Sequence, residues 1–187
     1  MFKKRRIGAT KKKVLLLLGA GIGLGFTKRP DKQWQIISEI ADEWKKINRT
    51  SLNRAVSSLY ESHLVKEKKH KDGTTTMVLT HEGERMVLRY NLHTLKLNKK
   101  EKWEGKWYVV MYDIPESKRR LRKILMHRLK ALGFIELQHS VFAYPHDCRK
   151  EIEYIIEAYD AREYIRCMEV TYIDDESALR KKFKIKN

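Results

Sequence analysis

Cysteine is almost missing: Cys148 and Cys167 are the only two in 187 residues. They make no disulfide framework and no CxxC metal pair, which fits a reducing compartment and leads to the expectation of a cytoplasmic protein. His127, His139 and His146 are too scattered to complete a zinc set with them. No Ser-His-Asp or Cys-His arrangement is legible, and internal repeats and low-complexity segments are absent. A membrane-length apolar run is missing too. Val14–Phe26 holds thirteen residues, about 20 Å of helix against a bilayer core of roughly 30 Å. The basic stretch Met1–Lys13 ahead of it resembles the start of a secretory signal. No small-x-small cleavage site follows, and the run ends at Thr27-Lys28-Arg29-Pro30. It therefore reads as a buried first helix, with no membrane partner. Gly19, Gly21, Gly23 and Gly25 each lower helix propensity by up to about 1 kcal/mol, so that helix is expected to be short or to break after Leu18. The glycines do not form a phosphate loop, since the lysine of GxxxxGK[ST] and a preceding strand are both lacking.

What the chain has in excess is positive charge, and it is unevenly spread. The formal net charge is +17. Residues 1–105 carry 24 Lys and Arg against 11 Asp and Glu, a net of +13, while residues 106–187 carry 17 against 13, a net of +4. A basic half beside a near-balanced half points to a polyanion-binding module attached to a second fold. Nucleic acid is the first expectation for the polyanion and an anionic membrane surface the second. At 187 residues the chain has room for two small domains: 1–93, a linker 94–105, and 106–187.

In the first half, Trp34, Ile37, Ile40, Ala41 and Trp44 recur at helical spacing, so Asp31–Ile47 reads as a helix entered after Pro30. Asn48-Arg49-Thr50 breaks the pattern. Thr50 or Ser51 is then expected to cap a second helix running to about His63, with Leu52, Ala55, Val56, Leu59 and Tyr60 inward. Leu64–Lys69 and Thr74–Thr80 flank Asp72-Gly73, a hairpin signal. Thr80 is placed to cap a further helix through about Leu92, with Leu88 and Leu92 on one face and Met86 and Val87 nearby. The order of helices followed by a hairpin and a helix is that of a winged helix-turn-helix, in which a helix enters the major groove.

In the second half, Lys106–Asp113 is β-branched and aromatic, a buried strand. Glu116–Leu132 is an amphipathic helix ended by Gly133. Phe134–Glu136 and Gln138–Tyr144 read as strands, Asp147–Tyr159 as a helix, Tyr164–Tyr172 as a strand, and Asp174–Phe183 as a last helix capped by Asp174. The β-α-β-β-α-β order is that of a ferredoxin-like fold. The expected class is therefore α+β, a winged helix-turn-helix followed by a ferredoxin-like domain.

Two resemblances rest on particular residues. Tyr112-Asp113-Ile114-Pro115, Lys118-Arg119-Arg120, Gly133-Phe134 and Gln138-His139-Ser140-Val141-Phe142 resemble the small ferredoxin-like endonuclease family of CRISPR adaptation. Tyr144-Pro145-His146-Asp147-Cys148, leading into an acidic helix, is similar to the central domain of the PaaX-like repressors of phenylacetate catabolism. Those repressors place a winged helix before such a domain, and this resemblance spans nearly the whole chain. Their third domain and its aromatic acyl-thioester effector are not carried over. The resemblance implies a sequence-specific DNA-binding regulator, a repressor acting as a homodimer, with double-stranded DNA as partner and no cofactor. The nuclease resemblance implies instead a CRISPR-associated endonuclease or adaptation-complex subunit, with Asp113 at the end of the first strand holding Mg²⁺ across a dimer. Within one chain, the plainer use of Asp113 is to cap the following helix or close the turn. A third reading is a non-catalytic adaptor bridging DNA and another protein.

The candidate DNA-reading residues are Arg49, Thr50, Ser51, Asn53, Arg54, Ser57 and Ser58. Arg and Asn pair with purine edges, while Ser and Thr reach phosphates. Lys66, Lys68, Lys69 and Lys71 of the hairpin and the arm Lys3, Lys4, Arg5 and Arg6 are candidate phosphate contacts.

Overall fold

In a computed structural model, residues 7–24, 48–69, 75–97 and 102–185 are described. The chain is a mixed helix-and-strand protein with antiparallel sheets, in two compact units, Met1–Tyr90 and Asn91–Asn187. No helix of the described residues is long and apolar enough to cross a membrane.

The first unit holds α1 (Ala9–Leu24), α2 (Arg49–Glu61), β1 (Val65–Lys69), β2 (Thr75–Leu79) and α3 (His81–Asn91). The expected helix over 31–47 and the hairpin tip lie outside the described residues. Helix α1 does not break after Leu18; it runs for sixteen residues through Gly19 and beyond. The packing gives the reason. A Cβ at Gly19 would come within 2.6 Å of a Val87 methyl, so the missing side chain lets α1 and α3 meet closely. Val14 and Leu15 of α1, Ala55 and Leu59 of α2, and Leu64, Val65, Leu79 and Val87 make one buried cluster. Strands β1 and β2 pair antiparallel, with Val65 opposite Leu79 and Lys66 opposite Val78. In α3, Gly83 and Val87 are buried and Leu88 is only half-buried, while Leu92, just past the helix, is buried as expected.

Two polar devices fix this unit. The Lys11 ammonium donates to the Ser58 carbonyl at 2.7 Å, the Ser58 hydroxyl at 2.9 Å and the Ser62 hydroxyl at 2.8 Å. All three of its protons are used, and its positive charge meets the C-terminal end of α2, where free carbonyls concentrate. Burial lowers the Lys11 pKa, and the Glu61 carboxylate opposes that shift. Thr80 caps α3 as expected, accepting from the Gly83 N–H at 3.2 Å, while its hydroxyl donates to the His63 carbonyl at 2.7 Å. Gly83 lies against the chain before β1: a Cβ there would stand 2.0 Å from the Leu64 carbonyl oxygen.

The second unit is built on β3 (Trp107–Tyr112), α4 (Arg119–Leu132), β4 (Ile135–Gln138), β5 (Val141–Tyr144), α5 (Arg149–Tyr159), β6 (Ile165–Val170) and α6 (Glu176–Phe183). The four strands are antiparallel in the order β4-β5-β3-β6. The first strand is central, lying between β5 and β6, and four of its six residues, Trp107 to Val110, are consecutively buried. Leu125 and Leu129 of α4 and Ile152, Ile155 and Ile156 of α5 complete the core. Gly133 ends α4 at φ 94°, as expected. The long strand expected over Gln138–Tyr144 is divided: His139-Ser140 forms a turn with Ser140 at φ 67°, and pairing resumes at Val141. Helix α6 begins at Glu176. Asp174 does not cap it, because its carboxylate accepts from the Tyr172 hydroxyl at 3.0 Å. Trp103 packs on Trp107 with ring centroids 5.1 Å apart, under the Arg180 guanidinium at 5.0 Å. The end of the segment expected as a linker is thus part of this unit.

Two outcomes are expected. Gly83→Ala forces a methyl group into a backbone carbonyl and lowers stability by about 1–3 kcal/mol, measured by chemical denaturation of the full chain. Lys11→Met leaves the Ser58 and Ser62 hydroxyls without their donor and lowers stability by about 1–2 kcal/mol. An unchanged denaturation midpoint for either variant would refute the corresponding contact.

Candidate nucleic-acid interface

Helix α2 starts at Arg49, earlier than the sequence suggested, because Asn48 caps it. The Asn48 side-chain oxygen accepts from the Thr50 N–H at 2.9 Å and the Ser51 N–H at 3.3 Å. An Asn in this place satisfies two of the four N–H groups that a helix start leaves unpaired. Thr50 and Ser51 are thereby released from capping, and both are exposed.

The helix then divides by periodicity. Ala55 and Leu59, four apart, are buried in the cluster with Val14 and Leu15. Thr50, Ser51, Arg54 and Ser57 are exposed; their three- and four-residue spacing aligns them along one outer stripe. Among the described residues, no acidic group pairs with Arg54, so its guanidinium is available to an outside acceptor. Ser58 differs from the other candidates. It is half-buried, and both its hydroxyl and its carbonyl are taken by Lys11; it belongs to the scaffold behind the stripe. Arg49 and Asn53 lie within α2, but their side chains are outside the described set.

In the hairpin, Lys66 is exposed on β1. Lys68 and Lys69 are in the same strand, paired with Thr76 and Thr75, with side chains outside the described set. Lys71 and the arm residues Lys3, Lys4, Arg5 and Arg6 lie outside the described residues.

Sequence reasoning missed Lys11. The signal was present: Lys11 stands three and four residues before Val14 and Leu15, on the face that packs, so its ammonium had to find acceptors at the edge of the core. Lys12 was missed likewise; it lies over the Tyr90 ring at 4.9 Å, joining α1 to α3.

In the second unit, Asp113 follows β3 and is exposed. Its backbone N–H donates to the Tyr164 carbonyl at 2.9 Å. Its carboxylate has no partner among the described residues, so the expected cap or turn closure is not made. The following turn is held instead by Arg122, which donates to the Ile114 carbonyl at 2.5 Å and to Glu116 at 3.2 Å. Among the described residues, no group of three His, Cys, Asp or Glu is placed to hold a metal ion. Magnesium takes six oxygens and needs a carboxylate with further partners. One exposed carboxylate in one chain does not fit that demand.

Residues 100–181 match the family model described as PaaX protein central Cas2-like domain. No curated protein matches the chain. Residues 100–181, most of the second unit, are thus similar to the Cas2-like central domain of PaaX proteins.

Proposed function

We propose that the protein is a sequence-specific DNA-binding transcriptional regulator, a repressor of PaaX-like type. In this reading the first unit is a winged helix-turn-helix, with α2 as the groove-entering helix and the β1–β2 hairpin as the wing. The second unit is a ferredoxin-like domain through which two chains pair. The observation that carries the reading is the exposed stripe Thr50, Ser51, Arg54 and Ser57, on a helix whose opposite face is packed. A helix fits the major groove, where Arg makes paired hydrogen bonds to guanine and Ser and Thr reach phosphates. The excess of +13 in residues 1–105 supplies the sequence-independent attraction. A homodimer would offer two such helices to a pseudo-palindromic operator. The protein would work in the cytoplasm, on double-stranded DNA, without a cofactor.

One observation favours a second reading. The match to a Cas2-like domain comes with an exposed carboxylate after its first strand. A dimer would bring two such carboxylates into play for divalent-metal hydrolysis of nucleic acid.

Three measurements separate these readings. Fluorescence anisotropy against genomic fragments, including the region upstream of its own gene, is expected to pick out a preferred site. Arg54→Ala weakens binding to that site by about 1–3 kcal/mol, roughly ten-fold or more, and relaxes its specificity, whereas Lys66→Ala weakens all fragments alike and lowers the salt slope by about one. Equal weak binding to every fragment at physiological salt would sink the regulator reading. Incubation of RNA and DNA with Mg²⁺ or Mn²⁺ is expected to give no cleavage; cleavage abolished by Asp113→Ala would move the assignment to the nuclease.

A further inference from the structure

Helix α4 carries six Lys and Arg and no Asp or Glu in its fourteen residues. Its inner face is fixed by Leu125 and Leu129, both buried. At 3.6 residues per turn, Arg119, Arg120, Lys123 and His127 fall on the side opposite that pair, and all four are exposed. Arg119, Lys123 and His127 follow one another at four-residue steps, so they form one row. The row is about 12 Å long at 1.5 Å per residue.

The cations of α4 divide by partner. Arg122 is held by the Ile114 carbonyl and by Glu116, and Lys130 by Glu136. Among the described residues, no acidic group pairs with Arg119, Arg120 or Lys123. The helix gains nothing from these three. Arg119 and Arg120 stand in its first turn, where positive charge meets the positive end of the backbone dipole. Arg119 and Lys123 repel each other across one turn. Several other exposed cations of this unit are met by acids, as Arg162 is by Glu153 and Glu157. The outer row of α4 is left with an uncompensated positive field.

The composition of the row selects the partner. The exposed positions of α4, Arg119, Arg120, Lys123, His127, Lys130 and Ala131, include no large apolar or aromatic side chain. A protein interface is built around buried aromatic or aliphatic anchors. A membrane-bound helix offers its apolar face, and a single-strand site stacks bases on aromatic rings. Helix α4 has its apolar face in the core and offers none of these. A duplex backbone asks only for cations, and guanidinium groups bind phosphate oxygens in pairs. A row of about 12 Å spans about three phosphates of one strand, at one per 3.4 Å of axis. We propose that this row is a second DNA-contacting surface, on which Arg119, Arg120 and Lys123 hold the phosphate backbone of double-stranded DNA without reading its sequence. The inference rests on the DNA-binding reading for its ligand. It adds a sequence-independent contact on the second unit to the contact proposed for α2.

The test uses the full chain and a random-sequence DNA duplex, with binding followed by anisotropy across a salt series. Arg119→Gln/Arg120→Gln/Lys123→Gln is expected to lower the slope of log affinity against log salt by about two to three. It is expected to weaken binding about ten-fold or more at physiological salt. A control, Lys106→Gln/Arg149→Gln/Arg162→Gln, makes the same change of net charge at cations that already have acidic partners, and is expected to keep the slope. Preference for one genomic fragment over another tests α2, whereas the slope on random sequence tests α4. Equal binding to every fragment would therefore leave the slope measurement intact. The wild-type chain supplies a second measurement that needs no variant to fold. Bound DNA is expected to protect Lys123 from acetylation by a water-soluble N-hydroxysuccinimide ester, while Lys106 continues to react. The proposal is overturned if the first triple variant keeps wild-type affinity and slope, or if the control loses as much slope. It is equally overturned if the loss appears on duplex RNA and not on duplex DNA, or if Lys123 reacts alike with and without DNA.

Discussion

The first unit depends on one packing contact, the burial of Ala55 and Leu59 of α2 in the cluster with Val14 and Leu15 of α1. A helix of thirteen residues is too short to stand alone in water. It holds its shape because one face is removed from solvent, and that same requirement decides which face is left outside. Once Ala55 and Leu59 point inward, Thr50, Arg54 and Ser57 have no alternative to solvent. The Lys11 contacts at Ser58 and Ser62 add a polar stop at the helix end, setting where α2 finishes relative to α1. The exposed stripe is therefore a consequence of the core. A change inside the cluster would disturb the stripe without touching any of its residues.

In the second unit the corresponding constraint is the central strand. β3 has partners on both edges and buried side chains over most of its length, so its position is determined by the whole sheet. Residues anchored to it inherit that precision. The backbone of Asp113 is tied to Tyr164 just past the strand, and Cys167 is held by the register opposite Val110. The Asp113 backbone is held firmly, while its carboxylate has no partner among the described residues.

Most elements could be read from periodicity and punctuation. The strand at Trp107–Tyr112 follows from its run of β-branched and aromatic residues, the end of α4 from Gly133, and the hairpin of the first unit from Asp72-Gly73 between two short runs. What escaped depended on distance in space. The glycines of α1 looked like breaks because propensity is a local quantity, whereas the space at Gly19 is set by Val87, 68 positions away. Asn48 was read as part of a break because capping is decided by which oxygen reaches the first free N–H groups, and Asn, Thr and Ser stood in competition there. In the candidate site, the outward residues of α2 could be read from the inward ones. Ser58 could not, since its occupation depends on Lys11, 47 positions earlier.

Charge is spread less evenly once pairing is considered. In the second unit, several basic side chains are met by acidic ones on the same surface. Arg162 reaches Glu153 and Glu157, Arg149 reaches Asp147 and Glu169, Lys130 reaches Glu136, and Lys106 reaches Glu169. Exposed pairs of this kind contribute little stability, but they cancel the field that their cations would project. In the first unit, among the described residues, the ion pairs run along α3, where Glu82 takes Arg85 and Arg89. Arg54 on α2 and Lys66 on β1 have no acidic partner among the described residues. Unpaired cations attract polyanions from a distance, and paired ones do not. The formal charge is uneven as well, +13 over residues 1–105 and +4 over residues 106–187.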